Sequence, residues 1–100
     1  MNQMQQMLMR AQKMQREMAK AQAALAEKEF TVEKGGMVKV TLTGDFNVSA
    51  IDIDADALDV DNKEMLQETI ALAINEAIEQ ISAEKEAIEE KITGQSGGLF

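Results

Sequence analysis

The chain has 100 residues, a formal net charge of −8 and 45% hydrophobic residues, of which only three are aromatic. One hundred residues make one domain with a modest core built from Ile, Val, Leu, Met and Ala, which directs attention to partners. With no His, Cys, Tyr or Trp, the usual general base near neutral pH, the usual zinc ligands and any disulfide are all excluded.

The serines Ser49, Ser82 and Ser96 have no imidazole to activate them. The expectation is therefore a protein that is not an enzyme and carries no cofactor, catalytic residue or metal. The longest clean apolar run, Ile70 to Ile74, is far short of the roughly 20 residues a bilayer span requires. No cation precedes Arg10 and no apolar h-region ends in a cleavage site, so neither a membrane segment nor a secretory signal is expected. A cytoplasmic protein without a small-molecule substrate is the default reading.

The first block is helical. Met4, Met7, Ala11, Met14, Met18, Ala21 and Leu25 recur at alternating spacings of three and four, the seam of a coiled coil or of an antiparallel helix pair. Nothing in residues 1–26 breaks a helix, which at 1.5 Å per residue would run to about 39 Å and project beyond a globule of this size. On the same helix Lys13, Arg16 and Lys20 fall within an arc of about 60°, with Arg10 beside them, roughly opposite the methionine seam. Charge is segregated along the chain: residues 1–26 hold four basic groups and one acid, residues 45–90 two basic groups and fourteen acids. A charged stripe is ordinarily a solvated face, and a net-negative protein repels a polyanion at long range. On composition alone a solvated face is therefore favoured over a nucleic-acid surface. A membrane-surface helix would carry interfacial Trp or Phe, which this one lacks.

The second block alternates with period two. Phe30 and Val32, then Val38, Val40 and Leu42, then Phe46, Val48, Ile51 and Ile53 predict three short strands in an antiparallel meander with one apolar face and glycine-marked turns. The spacing of three between Val48 and Ile51 predicts a bulge near Ser49 and Ala50, without which the isoleucines point to the wrong face. Asp52, Asp54 and Asp56 imitate the start of a calcium loop, but Ala57 stands where the turn needs glycine and Lys63 where the bidentate glutamate belongs. Asp52 and Asp54 are read instead as solvent-facing strand residues, and Asp61 with Glu64 as a capping box for the helix that follows.

That third block runs from about Asn62 to Ile92. Leu66, Ile70, Ile74, Ala77, Ile81, Ile88 and Ile92 share a face that is broad at first and thin later. Its first half can cover the sheet, whereas Ile88 and Ile92 would stand exposed unless another chain met them. Met4, Met7, Met14, Met18, Ile88 and Ile92 are thus the expected seam of a homodimer. The fold class is α+β: a long N-terminal helix, a three-stranded antiparallel meander and a long C-terminal helix, with projecting helical arms. Residues 1–92 form the domain, and residues 93–100, "TGQSGGLF", a mobile tail.

The run "LMRAQKMQREMAKAQAALAEKEF", the meander "GGMVKVTLTGDFNVSAIDIDADAL" and "DNKEMLQETIALAINEAIEQ" together resemble the YbaB/EbfC family of bacterial nucleoid-associated proteins. The resemblance covers nearly the whole chain. Its most specific parts are "AQKMQ" at residues 11–15, the strand pair ending in "IDID" and "KEML" at residues 63–66. It implies a tweezer-shaped cytoplasmic homodimer that binds double-stranded DNA at the nucleoid. Arg10, Lys13, Arg16 and Lys20 of each arm would then meet phosphates, with the acidic body held away. The alternative is a structural or adaptor dimer that engages another protein and uses its cations only for solubility.

Overall fold

In the computed structural model, residues 2–95 are described. Helix α1 spans Gln3–Glu27, strand β1 Glu29–Lys34, β2 Val38–Thr43 and β3 Val48–Ile53, and helix α2 Lys63–Gln95, with two short 3-10 turns at Ala55–Ala57 and Val60–Asn62. The α+β order predicted from periodicity is the order observed. The molecule is drawn out to 71 × 19 × 14 Å, so the helices do project.

The start of α1 is fixed by a reciprocal cap. Asn2 Oδ1 accepts the Gln5 backbone N–H at 2.8 Å, and Gln5 Oε1 accepts that of Asn2 at 3.3 Å, which satisfies two donors that have no partner within the helix.

The sheet is a meander in the order β1-β2-β3, antiparallel throughout. Between β1 and β2, Gly35 and Gly36 both take positive φ, 60° and 67°, which closes a tight turn at no steric cost. Between β2 and β3, Thr41 pairs with Ala50 but Leu42 with Val48. Ser49 is therefore the extra residue of the predicted bulge, and its hydroxyl donates to the Thr41 carbonyl at 3.1 Å. Phe46 is not in a strand. It occupies the preceding turn with φ of 66°, because Thr43 and Asn47 close that turn through a 2.9 Å backbone bond.

Val40, Leu42, Ala73, Ala77 and Ile81 are essentially inaccessible to solvent and, with Phe30, Val32, Val38 and Leu25, form the core. The alanines let α2 lie close on β1 and β2. Coverage stops there: on β3 the residues of the same face, Val48 and Ile51, remain 45% and 47% exposed.

Two local expectations are corrected. The capping box at Asp61 and Glu64 does not form, because the chain enters α2 through a 3-10 turn. There Asp59 Oδ1 accepts the Asp61 N–H at 2.9 Å. Nor is Asp54 a strand residue; its Oδ1 accepts the Asp56 N–H at 2.9 Å and caps the 3-10 turn Ala55–Ala57 that follows it.

Helix α2 also runs past Ile92 to Gln95, with the Thr93 hydroxyl returning to the Glu89 carbonyl at 2.7 Å. Of the expected tail, residues 96–100 lie outside the described residues.

Candidate nucleic-acid interface

Helices α1 and α2 run antiparallel along the arm. Lys28 Nζ meets Glu84 Oε1 at 2.6 Å, and farther out Glu17 and Ala21 line one cleft with Ile88, Lys91 and Ile92. Continuing this register sets the end of α2 near the Met14 turn.

The outer half of the arm is therefore a single helix, in which residues 2–13 are all exposed. Its inner half is a helix pair whose apolar seam closes within one chain. Leu25 and Ile92 are buried, and Met14, Met18, Ala21 and Ile88 half-buried. Ile88 and Ile92 thus need no second chain to cover them, because the seam of α1 finds its partner in α2. Met4 and Met7 stand apart from this packing, 78% and 52% exposed.

The four cations lie on the opposite side of α1, and all are exposed. Lys13 Nζ is 3.9 Å from Glu17 Oε1, with 71% of its side chain accessible, a pair weakened by solvent and worth at most about 1 kcal/mol. Among the described residues, Arg10, Arg16 and Lys20 take part in no ion pair. From Gln3 to Arg16 the helix carries three cations and no acid.

The acids begin where α2 joins. Glu84, Glu86, Glu89 and Glu90 run beside the inner arm, so positive potential is concentrated at the tip. Lys20 lies at the same level along the arm as these glutamates, though it pairs with none of them.

The rest of the molecule offers less chemistry. Asp45 carries a lowered pKa because the Thr43 hydroxyl, and then the Asn47 backbone and side chain, donate to its carboxylate. That carboxylate organises the β2–β3 turn. An open hollow at the β1–β2 end is lined by Glu33, Lys39, Asp52 and Asp54 among others, a mixed-charge surface with no hydroxyl or thiol side chain. Among the described residues no group of acids is placed to hold a metal, and no helix is long and apolar enough to cross a membrane.

The chain resembles known proteins over most of its length. The YbaB/EbfC DNA-binding family matches residues 1–96. A nucleoid-associated protein of Enterococcus faecalis is 44% identical over 94 residues, covering 93% of this chain and 90% of the relative. One from Lachnospira eligens is 47% identical over 79 residues, covering 78% and 68%. An uncharacterized protein from Helicobacter pylori, known from its crystal structure, shares the fold with a TM-score of 0.61 and 22% identity, covering 99% of this chain and 97% of that one. With a meander between two long helices and a family match over residues 1–96, the chain belongs to the YbaB/EbfC DNA-binding family.

Proposed function

We propose that this protein is a nucleoid-associated DNA-binding protein that grips duplex DNA through phosphate contacts from the cationic face of α1. The observation that carries this reading is the free outer arm, with three cations and no acid from Gln3 to Arg16 and every residue from 2 to 13 exposed. A net charge of −8 does not prevent such binding. In physiological salt the Debye length is about 8 Å, so phosphates at the tip are largely screened from the acids of the sheet and its loops, whereas Glu17 and the end of α2 lie closer. With no Trp or Tyr, base stacking has little to offer, which favours duplex over single strands. Arg10, Lys13 and Arg16 carry the main contacts, and Lys20 a weaker one.

The functional unit is a homodimer, which presents two arms to one duplex. Its contact surface is best placed on β3 rather than along the methionine seam. β3 is an edge strand whose Val48 and Ile51 lie bare beside α2, and an unpaired edge with an apolar face is a template for a second copy. Ile74 and Ile78, half-buried against the core, share a helix flank with Lys85, which lines a cleft with Gly44 and Phe46 on the β3 side. Met14, Met18, Ile88 and Ile92 serve the arm within each chain, while Met4 and Met7 belong to its tip. Such a dimer resides with the nucleoid in the cytoplasm and has no enzymatic role.

The test is fluorescence anisotropy against a mixed-sequence duplex over a salt series. With up to eight cations per dimer, log affinity against log salt has a slope no steeper than about −7. The double reversal Lys13→Glu with Arg16→Glu removes salt-sensitive binding. Failure of the folded wild-type dimer to bind at low salt leaves the adaptor reading in its place.

A further inference from the structure

Met9 has no structural employment. It is 52% exposed and absent from the core and from the residues packed on it. At about 100° per residue it lies between Arg16 and Lys20 on the helix circumference, one turn before Lys13 and two before Arg16, and so inside the cationic arc. Gln12 is about 40° from Arg16 on the same side and is also exposed.

A face that only meets phosphates has no use for a thioether at its centre. The floor of a major groove does, because thymine presents a C5-methyl group there, and adenine presents the N7 and N6 pair that a glutamine side chain matches. The geometry of the arm suits that groove. A lone helix is about 10–12 Å across with its side chains, and the major groove is about 12 Å wide. The stretch from Gln3 to Arg16 supplies about 21 Å of such helix, free of acids until Glu17. Met9 and Gln12 are about 4.5 Å apart along the axis, the scale of one base-pair step.

Resting on the DNA-binding reading above, we propose that the tip of α1 enters the major groove and reads A·T pairs. Met9 packs on a thymine methyl and Gln12 hydrogen-bonds the edge of an adenine. Arg10, Lys13, Arg16 and Lys20, which flank Met9 on the helix circumference, then reach neighbouring phosphates, so that they set affinity while Met9 and Gln12 set preference.

The experiment compares binding of the full-length protein to an A·T-containing duplex and to the same duplex with deoxyuridine in place of thymine, which removes only the methyl groups. Wild type binds the deoxyuridine duplex about fourfold more weakly for each thymine methyl that Met9 covers. Met9→Ala, whose helix is verified by circular dichroism, binds the two equally and keeps the wild-type salt slope. Gln12→Ala reduces the preference for A·T over G·C.

Equal affinity of wild type for the thymine and deoxyuridine duplexes overturns the proposal, as does a difference that persists in Met9→Ala, even if binding remains salt-sensitive. Absence of salt-sensitive binding to either duplex overturns the DNA-binding reading and the base-reading proposal together.

Discussion

Gly44 passes so close to the carbonyl of Leu25 that a Cβ there would overlap the Leu25 oxygen and carbonyl carbon. The approach is held by the Gly44 N–H, which donates to the Lys28 carbonyl at 2.9 Å, and it docks the β2–β3 turn on the end of α1. Gly44→Ala is expected to destabilise the fold by about 3 kcal/mol, the upper end of overpacking costs, because backbone on both sides must give way. Gly36→Ala is the control. Its Cβ meets open space, so only the positive φ is strained, at about 1–2 kcal/mol. Urea denaturation of both variants checks the difference.

The four cations are expected to differ in weight. Arg10→Ala, Lys13→Ala and Arg16→Ala each reduce the magnitude of the salt slope by about one for every phosphate left without its cation. Lys20→Ala reduces it less, because the glutamates of α2 run level with it. Glu17→Gln is expected to strengthen DNA binding by about two- to fivefold, since it frees Lys13 from a partner 3.9 Å away whose attraction is of order 0.5–1 kcal/mol. Anisotropy over a salt series ranks the four cation variants, and at a single low salt it compares Glu17→Gln with wild type.

Ile51→Asp places a charge on the bare face of β3 and is expected to convert the dimer to a monomer that keeps its helical and sheet content. Met7→Glu, out on the arm tip, leaves the dimer intact. Sedimentation equilibrium decides between the two surfaces: dissociation by Met7→Glu and not by Ile51→Asp would return the interface to α1.

Asp45 supplies a pH dependence. Its pKa is lowered in the folded chain, chiefly by the Thr43 hydroxyl. It therefore contributes stability that is present above the ordinary aspartate range and fades as pH falls through the folded value. A carbon-detected NMR titration is expected to show Asp45 titrating below its ordinary value of 3.8. Thr43→Val moves it back up, and the hairpin then loosens at a higher pH than in wild type.

The sheet is legible almost residue by residue because its signals are local. Two glycines set one turn, and a spacing of three instead of two announces the bulge at Ser49 without any knowledge of the pairing partner. Phe46 misleads because an aromatic at the right spacing looks like a strand residue. Only the closure of Thr43 on Asn47 shows that the chain is still turning there. The cap before α2 misleads for a similar reason, since Asp59 and Asp61 are equally good caps in sequence and the choice depends on how the loop leaves β3.

Composition and periodicity alone determined the element order, the projecting arm and the segregation of charge onto it, because each depends on neighbours within a few residues. What only the tertiary structure decided is which apolar surfaces find partners inside the chain. The methionine seam of α1 and the thin stripe at Ile88 and Ile92 each look unpaired in sequence, yet the antiparallel return of α2 brings them together. The face of β3 looks like core, yet a single helix about 10 Å wide covers two strands spaced about 4.8 Å apart and leaves the third bare.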